Sequence, residues 1–271
     1  MNTNFIVNDY ALIWNLLFQA SISESIYNLK QKLWESYRNE YNSTYKDKLP
    51  ILKDIKNFIP DNDTIYNVVL ENKNYEKIRK LAEKYRLELM KLWDKNKKNT
   101  TRLVKEILRI EIPDYNFFIV NKELNIIDHP INGSMIIGKN IDSSNPLNIL
   151  YEINMHIAMN NIKWYEAEDK KFKKAIVELA VLNEYPTIIN NKSYYLSGTP
   201  ELQELKRWLY PYWLMYLGIP QDEFFSYMMR DKISFDVDKY AYEKELKKMN
   251  IEEFIDFCIR NQRYIIRSSK K

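Results

Sequence analysis

Apolar residues recur at three- and four-residue steps through Trp14, Leu17, Ile22, Ile26, Leu29, Leu33 and Tyr37, which predicts a long helix with Asp9 as its cap. Pro50 and Pro60 punctuate the segment after it. A second long helix is expected over residues 75–93, where Ile78, Leu81, Tyr85, Leu89 and Leu92 share a stripe. The polar run 94–99 (DKNKKN) reads as a loop, and 100–110 as a further helix. Lysine-rich outer faces in this region read as solvated surface.

At Pro113 the pattern changes. Residues 115–120 (YNFFIV) form a β-type run of aromatic and β-branched residues. Asn121 and Lys122 turn it into a second short strand, 124–127, and the Asn132-Gly133 turn leads to a third, 134–137, ended by Gly138. The only other β structure expected is a hairpin around 187–196. Helices return over 146–160 and 165–185, the second stopped by Pro186. Thr199-Pro200-Glu201 has cap-then-proline chemistry for a helix start. That helix carries Trp208, Tyr210, Tyr212, Trp213 and Tyr216 before Gly218 ends it. Further helices are expected at 222–230, 239–249 and 251–267. This order of elements gives an α+β fold class, mainly α, with a small β-sheet followed by a helical C-terminal half. Residues 1–112 form a helical N-terminal region and 113–271 an α+β region, the two sharing one core.

Composition narrows the chemistry. The chain has 271 residues, 45% hydrophobic and 14% aromatic, which excludes a disordered chain. No run of about eighteen apolar residues offers a spanning helix, and no secretory signal is evident, so a cytoplasmic protein is expected. A net charge of +4, from 41 basic and 37 acidic residues, is too small an excess to imply a nucleic-acid partner, and no membrane partner is expected. Four scattered glycines exclude phosphate-cradling loops of the Rossmann and P-loop kind. The single cysteine, Cys258, excludes a disulfide framework and a cysteine-based zinc cage; on its apolar helix it reads as core.

Two helices carry carboxylates in apolar surroundings. In 147–159 (LNILYEINMHIAM), Glu152 and His156 are four residues apart, within about 40° on one helix face. In 175–182 (AIVELAVL), Glu178 is the one polar residue of eight. A glutamate there must find a partner or neutralise. Candidate partners are His156, Glu152, a tyrosine or a metal ion.

The order of short strands, then ILYEINMHIAM, then AIVELAVLNEYP on the next helix, resembles the zincin-like metallopeptidases of the gluzincin type. In that family an HExxH motif lies on the helix after the sheet, and the third zinc ligand is a glutamate on a later helix. The resemblance covers residues 115–186. It implies that Tyr151 stands at the first histidine ligand, Glu152 at the general base, Met155 at the second histidine ligand and Glu178 at the third ligand. Zinc in peptidases draws most of its affinity from imidazole, which a phenol and a thioether do not replace. Without a metal, Glu152 has no polarised water to deprotonate.

The resemblance therefore implies a degenerate metallopeptidase without catalytic zinc, a pseudo-peptidase whose former active-site cleft binds a peptide or protein partner. Tyr151, Met155, His156 and Glu178 are its binding residues, and no cofactor is expected. One alternative is an active metal-dependent hydrolase, with Glu152, His156 and Glu178 holding zinc, iron or manganese and Glu152 catalytic. Another is a purely structural helical interaction protein that makes its contacts through the N-terminal helices.

Overall fold

The computed structural model describes residues 2–18, 24, 70, 73–128, 133–163, 169–190, 196–220, 223–224, 226–227 and 243–267. It is mainly helical with one small mixed sheet, the α+β class that the pattern predicts. The chain divides into two compact units, Met1–Lys95 with Pro113–Glu152, and Asn96–Ile112 with Ile153–Lys271. Pro113 is thus one of the points where the chain passes between units, and two others fall inside helices.

In the first unit, β1 (Thr3–Ile6) and α1 (Asp9–Phe18) precede α2 (Lys73–Arg102), which runs on from this unit into the second. Three strands come next: β2 (Tyr115–Ile119), β3 (Ile126–Asp128) and β4 (Ser134–Gly138). The sheet order is β1-β2-β4-β3, with β1, β2 and β4 parallel and β3 antiparallel on the edge. β1 was not expected from sequence. Its short run TNFI alternates too few residues to stand out, and pairing with β2 stabilises it, Thr3 opposite Tyr115 and Phe5 opposite Phe117. Phe5, Trp93 and Phe117 then meet edge-on, with centroids 5.0 to 6.2 Å apart, and fasten α2 to the sheet.

Several expected boundaries are corrected. Asn8, not Asp9, caps α1, its Oδ1 accepting from the Ala11 N–H at 3.0 Å. Asp9 instead accepts from the Tyr75 hydroxyl and from Arg79 Nε. The expected continuation of α1 to residue 37 lies outside the described residues. No loop interrupts 94–99: α2 runs through it, because Trp93, Asn96 and Thr100 continue the buried stripe while the charged residues of the run face outward. The expected second strand, 124–127, is present as β3 but starts two residues later, because a 3-10 turn, Lys122–Leu124, precedes it: Asn121 caps the turn and Asn125 leaves it in the left-handed region.

In the second unit, α2 continues as a π-helical segment, Leu103–Leu108, ended by Arg109 at φ 52°. Arg109 donates to the carbonyls of Lys247, Met249 and Tyr216, and its guanidinium lies 4.4 Å over the Tyr216 ring. Next come α3 (Asn148–Asn161), shared between the units, then α4 (Asp169–Glu178), a second π segment (Leu179–Glu184) and α5 (Tyr185–Asn190). Pro186 does not stop the helix. It sits in the first turn of α5, where a missing N–H costs nothing, after hydrogen bonding has slipped to the π register with Tyr185 N–H on the Ala180 carbonyl. The expected hairpin is therefore helical as far as Asn190. Residues 191–195 lie outside the described residues.

A 3-10 turn, Pro200–Leu202, starts α6 (Gln203–Leu217), with Thr199 extended before it and Gly218 ending it at φ 74°. α7 (Glu243–Leu246), α8 (Ile251–Arg260) and α9 (Gln262–Arg267) complete the unit. Asn250 and Glu253 close a capping box on α8. Phe254 of α8 packs against Trp213 and Tyr216 of α6, with centroids 5.8 and 4.7 Å away. Tyr210, Tyr212, Trp213 and Tyr216 of α6 are core, while Trp208 is half-buried. Cys258 is also core, and burial pushes its thiol well above the usual range.

Lys173 of α4 is buried, with its ammonium donating to the Ile162 carbonyl at 2.5 Å. Burial pushes its pKa down to about 8, against the opposing pull of Glu252. Between pH 8 and the ordinary lysine range, the unfolded chain therefore holds a proton that the folded chain has released. The contribution of Lys173 to stability should rise with pH across that window and stay flat at its lowest below it. Urea denaturation at pH 7, 8, 9 and 10 checks this. The wild type should gain on Lys173→Met only above pH 8, and a constant difference would refute the assignment.

Candidate functional site

α3 follows β4 through residues 139–147, and its sequence buries one side only. Ile149, Leu150, Ile153, Asn154, Ile157 and Ala158 are buried, at the spacing of a single helix face. Tyr151, Glu152, Met155 and His156 are half-buried on the other side. Glu152 is therefore not enclosed in apolar surroundings as its neighbours in sequence suggest, because those neighbours turn away from it. Its carboxylate accepts from Lys139 Nζ at 2.8 and 2.7 Å, with 40% of its side chain exposed.

Glu178 is different. It is the last residue of α4, at the point where the hydrogen bonding slips into the π segment, and it is 2% exposed. Its burial follows from the apolar run around it, as expected. The partner is a residue that sequence reasoning missed. Lys206 of α6, fully buried, places Nζ 2.7 Å from Glu178 Oε2. The same oxygen accepts the Thr199 N–H at 3.1 Å, and Oε1 accepts the Thr199 hydroxyl. Lys206 also donates to the Ser197 carbonyl. Two buried charges thus cancel, and the carboxylate caps the 3-10 turn that starts α6.

The signal for Lys206 was present in the chain. Leu202, Lys206, Leu209 and Trp213 follow steps of four, three and four, so this lysine stands in the buried stripe of its helix. Lys139 carries no comparable signal, since it is simply the first residue after β4.

The loop that delivers Thr199 is held just as closely. Gly198 has φ 113°, and a Cβ built there would lie 2.8 Å from Leu182 Cδ1 and closer still to Glu178 Oε2. Ser197 Oγ donates to the Leu182 carbonyl. Residues 197–199 therefore wrap the carboxylate at backbone distance.

No family model, curated protein or solved structure matches this chain.

What the arrangement can do rests on its own chemistry. Glu152 and Glu178 each bind a lysine of their own unit. Among the described residues, no group of three or more His, Cys, Asp or Glu side chains is placed to hold a metal ion. The donor set fits zinc poorly on other grounds as well. Both oxygens of Glu178 are taken by N–H and O–H donors, one of them an ammonium, and Tyr151 and Met155 offer a phenol and a thioether. Tyr151, Met155 and His156, half-buried on one side of α3, combine apolar area with a polar tip or an adaptable thioether.

Proposed function

We propose that the chain is a zincin-like protein of the gluzincin type that works without catalytic zinc and binds a peptide or protein partner at its former active-site helix. The observation that carries this reading is the Glu178–Lys206 pair, which sets a lysine ammonium on the carboxylate that would otherwise be the third metal ligand. A lysine ammonium in that position does the neutralising work of a cation, and three donors occupy three of the carboxylate's roughly four lone-pair sites. The order of elements supports the same reading: a small sheet, then α3 with Tyr151, Glu152 and Met155, then a helix that buries Glu178. Binding is assigned to Tyr151, Met155 and His156, which α3 leaves half-exposed.

Metal analysis of the full chain purified without chelators tests the first part. Zinc far below one equivalent per chain is expected, and stoichiometric zinc would sink the reading. Selection from a displayed random-peptide library tests the second. Enriched peptides should lose at least tenfold in affinity against Met155→Asp, which puts a charge in place of the apolar member of the three. Peptides that bind this variant as well as they bind the wild type would refute the assignment of the surface.

A further inference from the structure

The outer face of α2 carries more than solvation requires. At 100° per residue, Lys73, Lys77, Lys80, Lys84, Lys91 and Lys95 fall within an arc of about 60°, in a row some 33 Å long. All are exposed and all lie in the first unit. The acidic residues nearby, Glu76, Glu88 and Asp94, stand outside that arc. The arginines of this stretch are committed elsewhere, Arg79 to Asp9 and Arg86 to Glu83. Lys80 pairs with Glu76, and among the described residues the other five lysines form no ion pair.

Exposed leucines accompany the row. Among the described residues the exposed large hydrophobics are Leu70, Leu81, Leu87 and Tyr264, and the three leucines all belong to α2 or its approach. Leu81 is 52% exposed and Leu87 44%. Leu87 and Leu81 flank the lysine arc on opposite sides, about 20° and 40° beyond its edges, and so add apolar area beside the charged row.

We propose that this face of α2 adsorbs to an anionic lipid surface, its lysines on the headgroups and Leu81 and Leu87 in the interface. A straight helix meets a plane along one line, so the whole row reaches the headgroups at once. Lysine supplies a non-directional charge on a long apolar stem, which suits mobile headgroups. A nucleic-acid strand fits less well, because the row holds no aromatic platform for bases and no arginine fork for phosphates. Adsorption requires no spanning segment, and no described helix is long and apolar enough to cross a membrane.

Sedimentation of the full chain with phosphatidylcholine vesicles, with and without phosphatidylserine, tests the proposal. Binding is expected only with phosphatidylserine and should disappear as salt is raised to about 0.5 M. K77E/K84E/K91E should lower the partition at least about a hundredfold, and L81S/L87S roughly tenfold. These side chains are exposed, so unchanged circular dichroism should accompany both losses. Equal binding to neutral vesicles, no binding to either, or tighter capture of an oligothymidine strand at the same salt would overturn it.

Discussion

Replacing Lys206 with methionine should cost the fold about 3–5 kcal/mol, the penalty for leaving one member of a buried ion pair without its partner. Lys206 and Glu178 are 0% and 2% exposed, so water cannot take over for the missing charge. Glu178→Gln should cost a similar amount, because it strands the ammonium instead. Glu178→Leu combined with Lys206→Met should recover much of the loss, because neither charge remains to be desolvated. A residual cost of about 1 kcal/mol is expected from the Thr199 N–H and hydroxyl, which lose their acceptor at the start of α6. Urea denaturation of the four proteins checks the pattern. A Lys206→Met variant within about 1 kcal/mol of the wild type would show that the pair is not buried as described. The Lys139–Glu152 pair should behave otherwise: with about a third or more of each side chain exposed, it lies in the range of surface pairs worth about 0–1 kcal/mol.

This contrast locates what could be read from the chain. That Glu178 must be buried and partnered followed from the apolar residues around it, since a helix apolar on all sides has no outward face. Which residue partners it did not follow, because Lys206 lies 28 positions away and the contact depends on how α4 and α6 pack. The candidate partners read from the chain were His156, Glu152, a tyrosine or a metal ion, none of them the lysine in the buried stripe of α6. Glu152 fails for a different reason. Ile153, Leu150 and Ile149 flank it in sequence but face the other side of α3, so apolar neighbours in the chain are not apolar neighbours in space.

Helix boundaries show the same division between composition and period. Asp94, Lys95, Lys97, Lys98 and Asn99 have the composition of a loop, yet Asn96 and Thr100 keep the buried period of α2 across them. Pro186 has the chemistry of a stop, yet a π segment moves it to a position where proline is tolerated. β2 and β4 were legible because both are long apolar runs in a sheet interior, buried along nearly their whole length. β1 was not legible, because four residues, none of them fully buried, acquire strand geometry only from a partner more than a hundred positions away.

Gly198→Ala should destabilise the protein by about 3 kcal/mol, through two separable effects. One is backbone strain: φ 113° is a region that side chains rarely adopt, and forcing alanine into it costs about 1–3 kcal/mol. The other is a collision of the new Cβ with the Glu178 carboxylate, which cannot swing aside while Lys206 and Thr199 hold it. A double-mutant cycle separates them. In a Glu178→Ala background the collision with the carboxylate vanishes and only the strain and the close contact with Leu182 Cδ1 remain, so Gly198→Ala should there cost at least about 1 kcal/mol less than in the wild type. Equal costs in both backgrounds would mean that the loop does not press on the carboxylate, and that the wrap of residues 197–199 around Glu178 is looser than its hydrogen bonds imply.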